Sequence, residues 1–170
     1  NQVAGSIASA ITLRAERDPV SQLEALYEVA AINARPMDFE AKVQGIVDRL
    51  VQIADADLVV LRRADENEDD LNLVAIAGTR AIRFEPTLKI SDQHSVSSEA
   101  FREGRIFLNN DYQIFPEANV AIQMQGVQST LVMPIRSGIR KLGLLSVSSK
   151  TANHFNDERV ALLTAFADEI

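Results

Sequence analysis

Chemistry at neutral pH needs a nucleophile, a base or a cluster of metal ligands, and this 170-residue sequence is short of all three. The only histidines, His94 and His154, stand sixty residues apart, so no local metal-ligand spacing such as HExxH exists. No cysteine is present. That removes thiol nucleophiles, Cys-ligated zinc, disulfides and any cofactor held through a thioether. There is no Gly-rich phosphate loop, and no serine sits in a strained nucleophile elbow. The densest acidic run, Asp65-Glu66-Asn67-Glu68-Asp69-Asp70, lacks the ligand positions and distal Glu of a calcium loop. It reads as a solvated hairpin tip.

Composition narrows the classes further. Apolar residues at 46% and charged residues at 24% are ordinary for a globular domain, and the length suits one domain with a real core. A net charge of −7, no Trp and 5% aromatics argue against a nucleic-acid face, which needs clustered Lys and Arg or stacking platforms. No run approaches the ~18 apolar residues of a membrane span. Asn1–Ala10 lacks a basic leader followed by an apolar block, and the missing cysteines are consistent with a cytoplasmic setting.

The elements that must position any site follow from periodicity. Val3, Ile7, Ala10 and Ile11 predict a helix over residues 1–17. Asp18-Pro19 starts a second helix, with Val20, Leu23, Leu26, Tyr27 and Ala30 on one face and Glu24, Glu28 and Asn33 on the other, ending at Arg35-Pro36. A third starts at the Asp38 cap, with the apolar stripe Phe39, Val43, Ile46, Val47, Leu50 and Ile53. Residues 57–63 and 71–78 read as strands joined by the acidic tip, with short strands at 88–90 and 106–108. Ser95 or Ser97 caps a short helix that Gly104 stops. Residues 109–126 form a long connection, with a helix over 118–124. Residues 126–150 are the clearest hairpin: Leu131, Met133 and Ile135 alternate with Thr130, Val132 and Pro134, a Gly-containing break follows, and alternation resumes from Leu142 to Ser148. Pro134 marks an interruption or an edge, and Gly143 a close backbone approach. Asn156 caps a last helix with Val160, Leu163, Phe166 and Ala167 on its buried face. The fold class is α+β: a central antiparallel sheet of five to six strands, helices packed on one face, and an N-terminal helical extension.

The order of these elements resembles a known family. The Val43–Ile53 helix leads to Ala56-Asp57. Then come Ala77-Gly78, Ser98-Glu99-Ala100 ending at Gly104-Arg105, Ser129–Ile135, Leu142–Val147 and Phe155-Asn156-Asp157-Glu158. No single motif is specific, but the series is similar to that of GAF domains over residues 37–170. Residues 1–35 would be linker helices. Asn1–Ala10 resembles the run that follows Phe-Ala in the last helix of such domains, as Phe166-Ala167 does here, which suggests a fragment of a tandem-GAF protein.

The resemblance implies a ligand pocket in front of the sheet, roofed by residues 79–98 and 109–128. The candidate ligand-binding residues are Arg80, Asp92, Ser97, Asn110, Asp111, Tyr112 and Ser129, a few polar groups that could converge on a concave site. The ligand itself is left unidentified. A bilin attached through cysteine has no attachment point, and the methionine-sulfoxide reductase members need cysteines that are absent. Haem would need His94, which reads as an exposed loop residue. The cyclic-nucleotide motif Asn-Lys…Phe…Asp-Glu appears only as Ser149-Lys150, Phe155 and Asp157-Glu158, with Ser for Asn and a shorter spacing, which argues against that ligand. Lys150 and Asp157 could instead form an ion pair. The expected function is a non-catalytic sensory or regulatory module that binds a small molecule and relays to an output domain outside this chain, foremost a two-component histidine kinase. Diguanylate cyclase, phosphatase or transcription activator outputs are alternatives. The competing expectation is a structural dimerisation module whose pocket is filled by Phe107, Phe115, Ile122 and Met124. Either way a homodimer through the N- and C-terminal helices is expected, with Val3, Ile7, Ile11, Leu23, Leu26 and Ala30 as the seam.

Overall fold

Alternation at period two builds the sheet, and period 3.6 builds what covers it. The computed structural model describes residues 19–34, 36, 38–79 and 84–170. The helix expected over residues 1–17 lies outside them. The elements are α1 (Pro19–Ala34), α2 (Phe39–Ile53), β1 (Leu58–Ala64), β2 (Asp70–Gly78), β3 (Thr87–Lys89), α3 (Val96–Glu103), β4 (Phe107–Asn109), a 3-10 turn (Tyr112–Ile114), α4 (Val120–Met124), β5 (Ser129–Ser137), β6 (Arg140–Ser149) and α5 (Asp157–Glu169). The six strands make one sheet in the order β3-β2-β1-β6-β5-β4, every neighbouring pair antiparallel.

The rear face carries the main core. Val59 and Leu61 of β1, Leu131, Met133 and Ile135 of β5, and Leu145 and Val147 of β6 point into it. Val43, Ile46, Val47 and Leu50 of α2 and Leu163 and Phe166 of α5 cover them. Each such fully buried side chain contributes about 1.5–3 kcal/mol by leaving water. Asp38, Ser95 and Asn156 cap α2, α3 and α5, each side chain accepting from the backbone N–H three residues on. Gly104 ends α3 at φ 61°, the left-handed conformation glycine adopts without strain. Pro134 lies beyond the three β5 residues that β4 covers, where a missing donor costs the sheet little. Gly143 faces Arg63 across β1 and β6, and a Cβ there would overlap the Arg62 carbonyl.

The helix at 19–34 forms, but a different face is buried. Ala25 and Val29 are buried and Leu26 and Ile32 pack on the rear core, whereas Val20, Leu23 and Tyr27 are 57%, 54% and 68% exposed. Leu26 therefore does not belong to an outer seam with Leu23 and Ala30. The reason is tertiary: α1 rests on α2 and α5, and that contact selects the face. Gln22 donates to Glu158 at 2.6 Å and Asn33 to the Glu169 carbonyl at 2.7 Å, so α1 and α5 run side by side in the same direction.

Candidate ligand site

The front face of the sheet is not closed by a helical layer. α3 packs on part of it, Phe101 joining Leu71, Ile90, Val132 and Leu144. Beside that cluster a cavity of about 450 Å³ opens between the strands and the segments that roof them. Its floor is set by register. Val60 of β1, Ser146 of β6 and Val132 of β5 form one row across the sheet. Two residues along, Leu58, Ser148 and Thr130 form the next, and on the other side Arg62 starts a third. Four residues of strand, about 13 Å, thus separate the Arg62 end from the hydroxyl end.

Each end carries a buried polar group. Thr130 and Ser148 share a 2.9 Å hydrogen bond, which uses one of their two O–H donors. Arg62 is 5% exposed. It donates to the carbonyls of Leu71 (3.1 Å), Pro86 (3.4 Å) and Glu85 (2.8 Å), and so fastens the chain entering β3 onto β1. Burial depresses its proton affinity and the negative charge of Glu85 opposes that. The roof supplies Phe84, Glu85, Asp92, His94, Ser95, Ser97, Tyr112, Glu117 and Asn119. The Tyr112 hydroxyl accepts from the Asn119 amide at 2.9 Å, and burial pushes its pKa up. A second hollow of about 490 Å³ lies between the hairpin tips at 65–68 and 140–143 and Ile170. It lacks the buried hydroxyls of the front cavity.

Among the candidate residues, Asp92, Ser97 and Tyr112 line the front cavity. Asn110 does not: its amide donates to the Phe155 carbonyl and accepts the Phe155 amide, pinning the long connection to the start of α5. Ser129 is buried and donates to the Thr151 carbonyl at 2.8 Å. Asp111 is exposed at the head of the 3-10 turn and is not in the lining. Arg80 lies outside the described residues. Of the side chains expected to fill the pocket, only Ile122 lines it; Phe107 packs against Phe115 with the rings tilted by 48°, and Met124 is 80% exposed. The residues resembling a nucleotide motif sit elsewhere. Phe155 is in the rear core, the Lys150 amide meets the Asp57 carboxylate at 2.6 Å, and no Lys150–Asp157 ion pair forms.

The floor residues lie on strands, outside the roof segments on or next to which the expected ligand contacts fall. Their signal was present: Thr130, Ser146 and Ser148 are polar at alternate positions of otherwise apolar strands, and Arg62 follows Leu58–Leu61 without a break. Such residues point either to solvent or into a cavity.

Among the described residues no cluster of His, Cys, Asp and Glu could hold a metal ion, and no helix is long and apolar enough to cross a membrane. A comparison with curated proteins gives no match. The family model described as GAF domain matches residues 36–170. Among solved structures, the GAF domain of a phosphoenolpyruvate-protein phosphotransferase from Coxiella burnetii is 20% identical, with a TM-score of 0.75, over 86% of this chain and 88% of that one. A free methionine-R-sulfoxide reductase from Neisseria meningitidis, in complex with its substrate, is 19% identical with a TM-score of 0.74, over 88% and 86%. The second GAF domain of DevS from Mycobacterium smegmatis is 20% identical with a TM-score of 0.60, over 76% and 88%.

Proposed function

Because the chain belongs to the GAF family over residues 36–170, whose fold is regulatory and sensory, we propose that it binds a small molecule in the front cavity and relays that event through α1 and α5. The observation that carries this is the open cavity of about 450 Å³ whose floor holds buried polar groups. A pocket of that size with few polar groups on an apolar floor is the usual form of a small-molecule site. The competing reading, a pocket filled by its own side chains, is disfavoured because, of the four residues expected to fill it, Ile122 alone lines the cavity and Met124 is 80% exposed.

We take the module to be non-catalytic. With no cysteine it cannot run a thiol-based reduction, and His94, the lining imidazole, is exposed at the rim. Transmission would be a population shift: a ligand preferring one roof arrangement biases the helices that leave the domain. The roof is tied to those helices by short polar links. Asn110 holds Phe155, and His154 Nε2–H donates to the Ala54 carbonyl at 2.8 Å, joining the ends of α5 and α2. Our reading of the output is a two-component histidine kinase working by phosphorelay in the cytoplasm.

The helices also suggest the partner, a second copy of the chain. Val20, Leu23, Tyr27, Ala30 and Ala34 are all exposed and follow one another at spacings of 3, 4, 3 and 4. That is the a/d seam of a coiled coil, which a two-fold partner matches with the same residues. Native mass spectrometry of freshly purified protein tests both parts. A retained mass that disappears on denaturation, and a dimer, are expected. A bare monomer at micromolar concentration refutes the scheme.

A further inference from the structure

His154 is 5% exposed, and both nitrogens of its ring are in use. Nε2 faces the Ala54 carbonyl at 2.8 Å, an acceptor, so Nε2 carries the hydrogen. The Arg159 guanidinium stands 2.9 Å from Nδ1 and 3.1 Å from Nε2. A guanidinium only donates, so Nδ1 accepts and the imidazole is neutral. The same Arg159 nitrogen donates to the His154 carbonyl at 2.8 Å. These bonds fix the first turn of α5 to the end of α2. The junction reaches the roof as well. The next residue, Phe155, is clamped by the Asn110 side-chain amide, which both donates to it and accepts from it. Asn110 stands two residues before Tyr112 of the cavity lining.

A proton on Nδ1 would break this arrangement. It removes the acceptor for Arg159 and leaves two cations 2.9 Å apart. Both would sit at the N-terminal end of α5, where the helix dipole disfavours positive charge. Burial opposes the proton most and Arg159 adds to it, against the Ala54 carbonyl and the Asp55 and Asp57 carboxylates of the link between α2 and β1. Asp57 is itself held by the Lys150 amide and the Ser149 hydroxyl, and β5 brings the Ser129 hydroxyl, which accepts from the His154 amide. Resting on the reading that α5 relays the state of the cavity, we propose that His154 is an acid-released latch: its protonation expels Arg159, frees the first turn of α5 and the Asn110–Phe155 clamp, and uncouples that helix from the roof. A proton is then a second input to the module, one that interrupts the relay.

The test is amide hydrogen exchange of the ligand-free 170-residue protein between about pH 7 and about pH 5, each rate divided by the intrinsic rate at that pH. The open latch exposes an imidazole of ordinary pKa, about 6.5, and the closed one holds it neutral, so opening gains up to about tenfold per pH unit below that value. Protection at Phe155, Arg159 and Val160, whose amides bond to Asn110 and Asn156, should therefore fall up to about thirtyfold by about pH 5, while β5 and β6 keep theirs. His154→Gln keeps an N–H donor, takes no proton, and should abolish the fall. Should Gln weaken the junction at every pH, Arg159→Met gives a second reading: with the repelling cation gone, the pH at which His154 gains its proton, read by NMR from its ring C–H, should rise. A flat wild-type profile, a His154→Gln profile that falls as steeply, or an Arg159→Met ring that titrates as before overturns the latch. So does an equal loss in β5 and β6, which would be global unfolding. No ligand is added, so the latch can fail with the cavity reading intact, and a cavity that retains no ligand leaves these profiles unchanged.

Discussion

Replacing Arg62 by Met tests whether one buried side chain holds the roof to the sheet. Hydrogen bonds from a charged donor contribute about 1.5–3 kcal/mol each when well aligned. The bonds to the Glu85 carbonyl at 2.8 Å and the Leu71 carbonyl at 3.1 Å qualify by length, and the 3.4 Å bond to Pro86 adds little. The gross loss is therefore about 3–6 kcal/mol. Removing a buried cation that lacks an ion pair returns several kcal/mol of desolvation, and the Met stem keeps most of the packing. Because the carbonyls are left against an apolar group, the net effect is a destabilisation of about 1–3 kcal/mol. A domain of this size has about 5–15 kcal/mol in hand, so it stays folded. Urea unfolding reads the global term. Hydrogen exchange reads the local one: amides at Leu73 and Ile90, which bond to Pro86 and Asp69, should exchange faster, while β5 and β6 keep their protection. An unchanged urea midpoint together with unchanged exchange at Leu73 and Ile90 would refute the role of Arg62 as a strut.

Leu23→Asp should turn a dimer into a monomer by light scattering with the fold intact, whereas Leu26→Asp should destabilise the protomer, because Leu26 packs on the core; an unchanged mass for Leu23→Asp removes the seam. His154 is held neutral: burial lowers its pKa below the ordinary 6.5 and Arg159 lowers it further, against the Ala54 carbonyl, Asp55 and Asp57, which raise it. The unfolded state then binds more protons below pH 6.5, so stability is full above that value and falls as the pH drops through it. Urea midpoints from about pH 7.5 to about pH 5 should decline, and His154→Asn should flatten the slope; equal slopes would show that other groups dominate. Gly143→Ala should cost about 1–3 kcal/mol in urea, because a Cβ has no room against the Arg62 carbonyl; a neutral outcome would mean the β1–β6 contact is looser than described. Asn110→Ala should cost about 1–2 kcal/mol by unpairing Phe155, with no change in ligand affinity; lost affinity at unchanged stability would return Asn110 to the ligand site.

Features that local physics decides are legible along the chain. The 126–150 hairpin, the Asp38 and Asn156 caps, the Gly104 stop and the close approach at Gly143 are each legible from one residue type in a short window. So was the family-like order of elements. Tertiary structure decided what depends on facing. For α1, Val20, Leu23 and Tyr27 are as apolar as Leu26 and Val29, so periodicity gave the helix but not the buried side, which was settled when α2 and α5 packed against it. The cavity was hidden for the same reason. Arg62, Thr130, Ser146 and Ser148 come from three strands and share one face only because β6 pairs with β1 as well as with its hairpin partner β5, and the β1–β6 pairs, from Leu58↔Ser148 to Arg63↔Gly143, join residues eighty to ninety apart in the chain. Polar residues such as Asn110 and Ser129, beside or at the start of a strand, are alike in sequence whether they hold a ligand or a backbone. Only the fold put Phe155 and Thr151 within their reach.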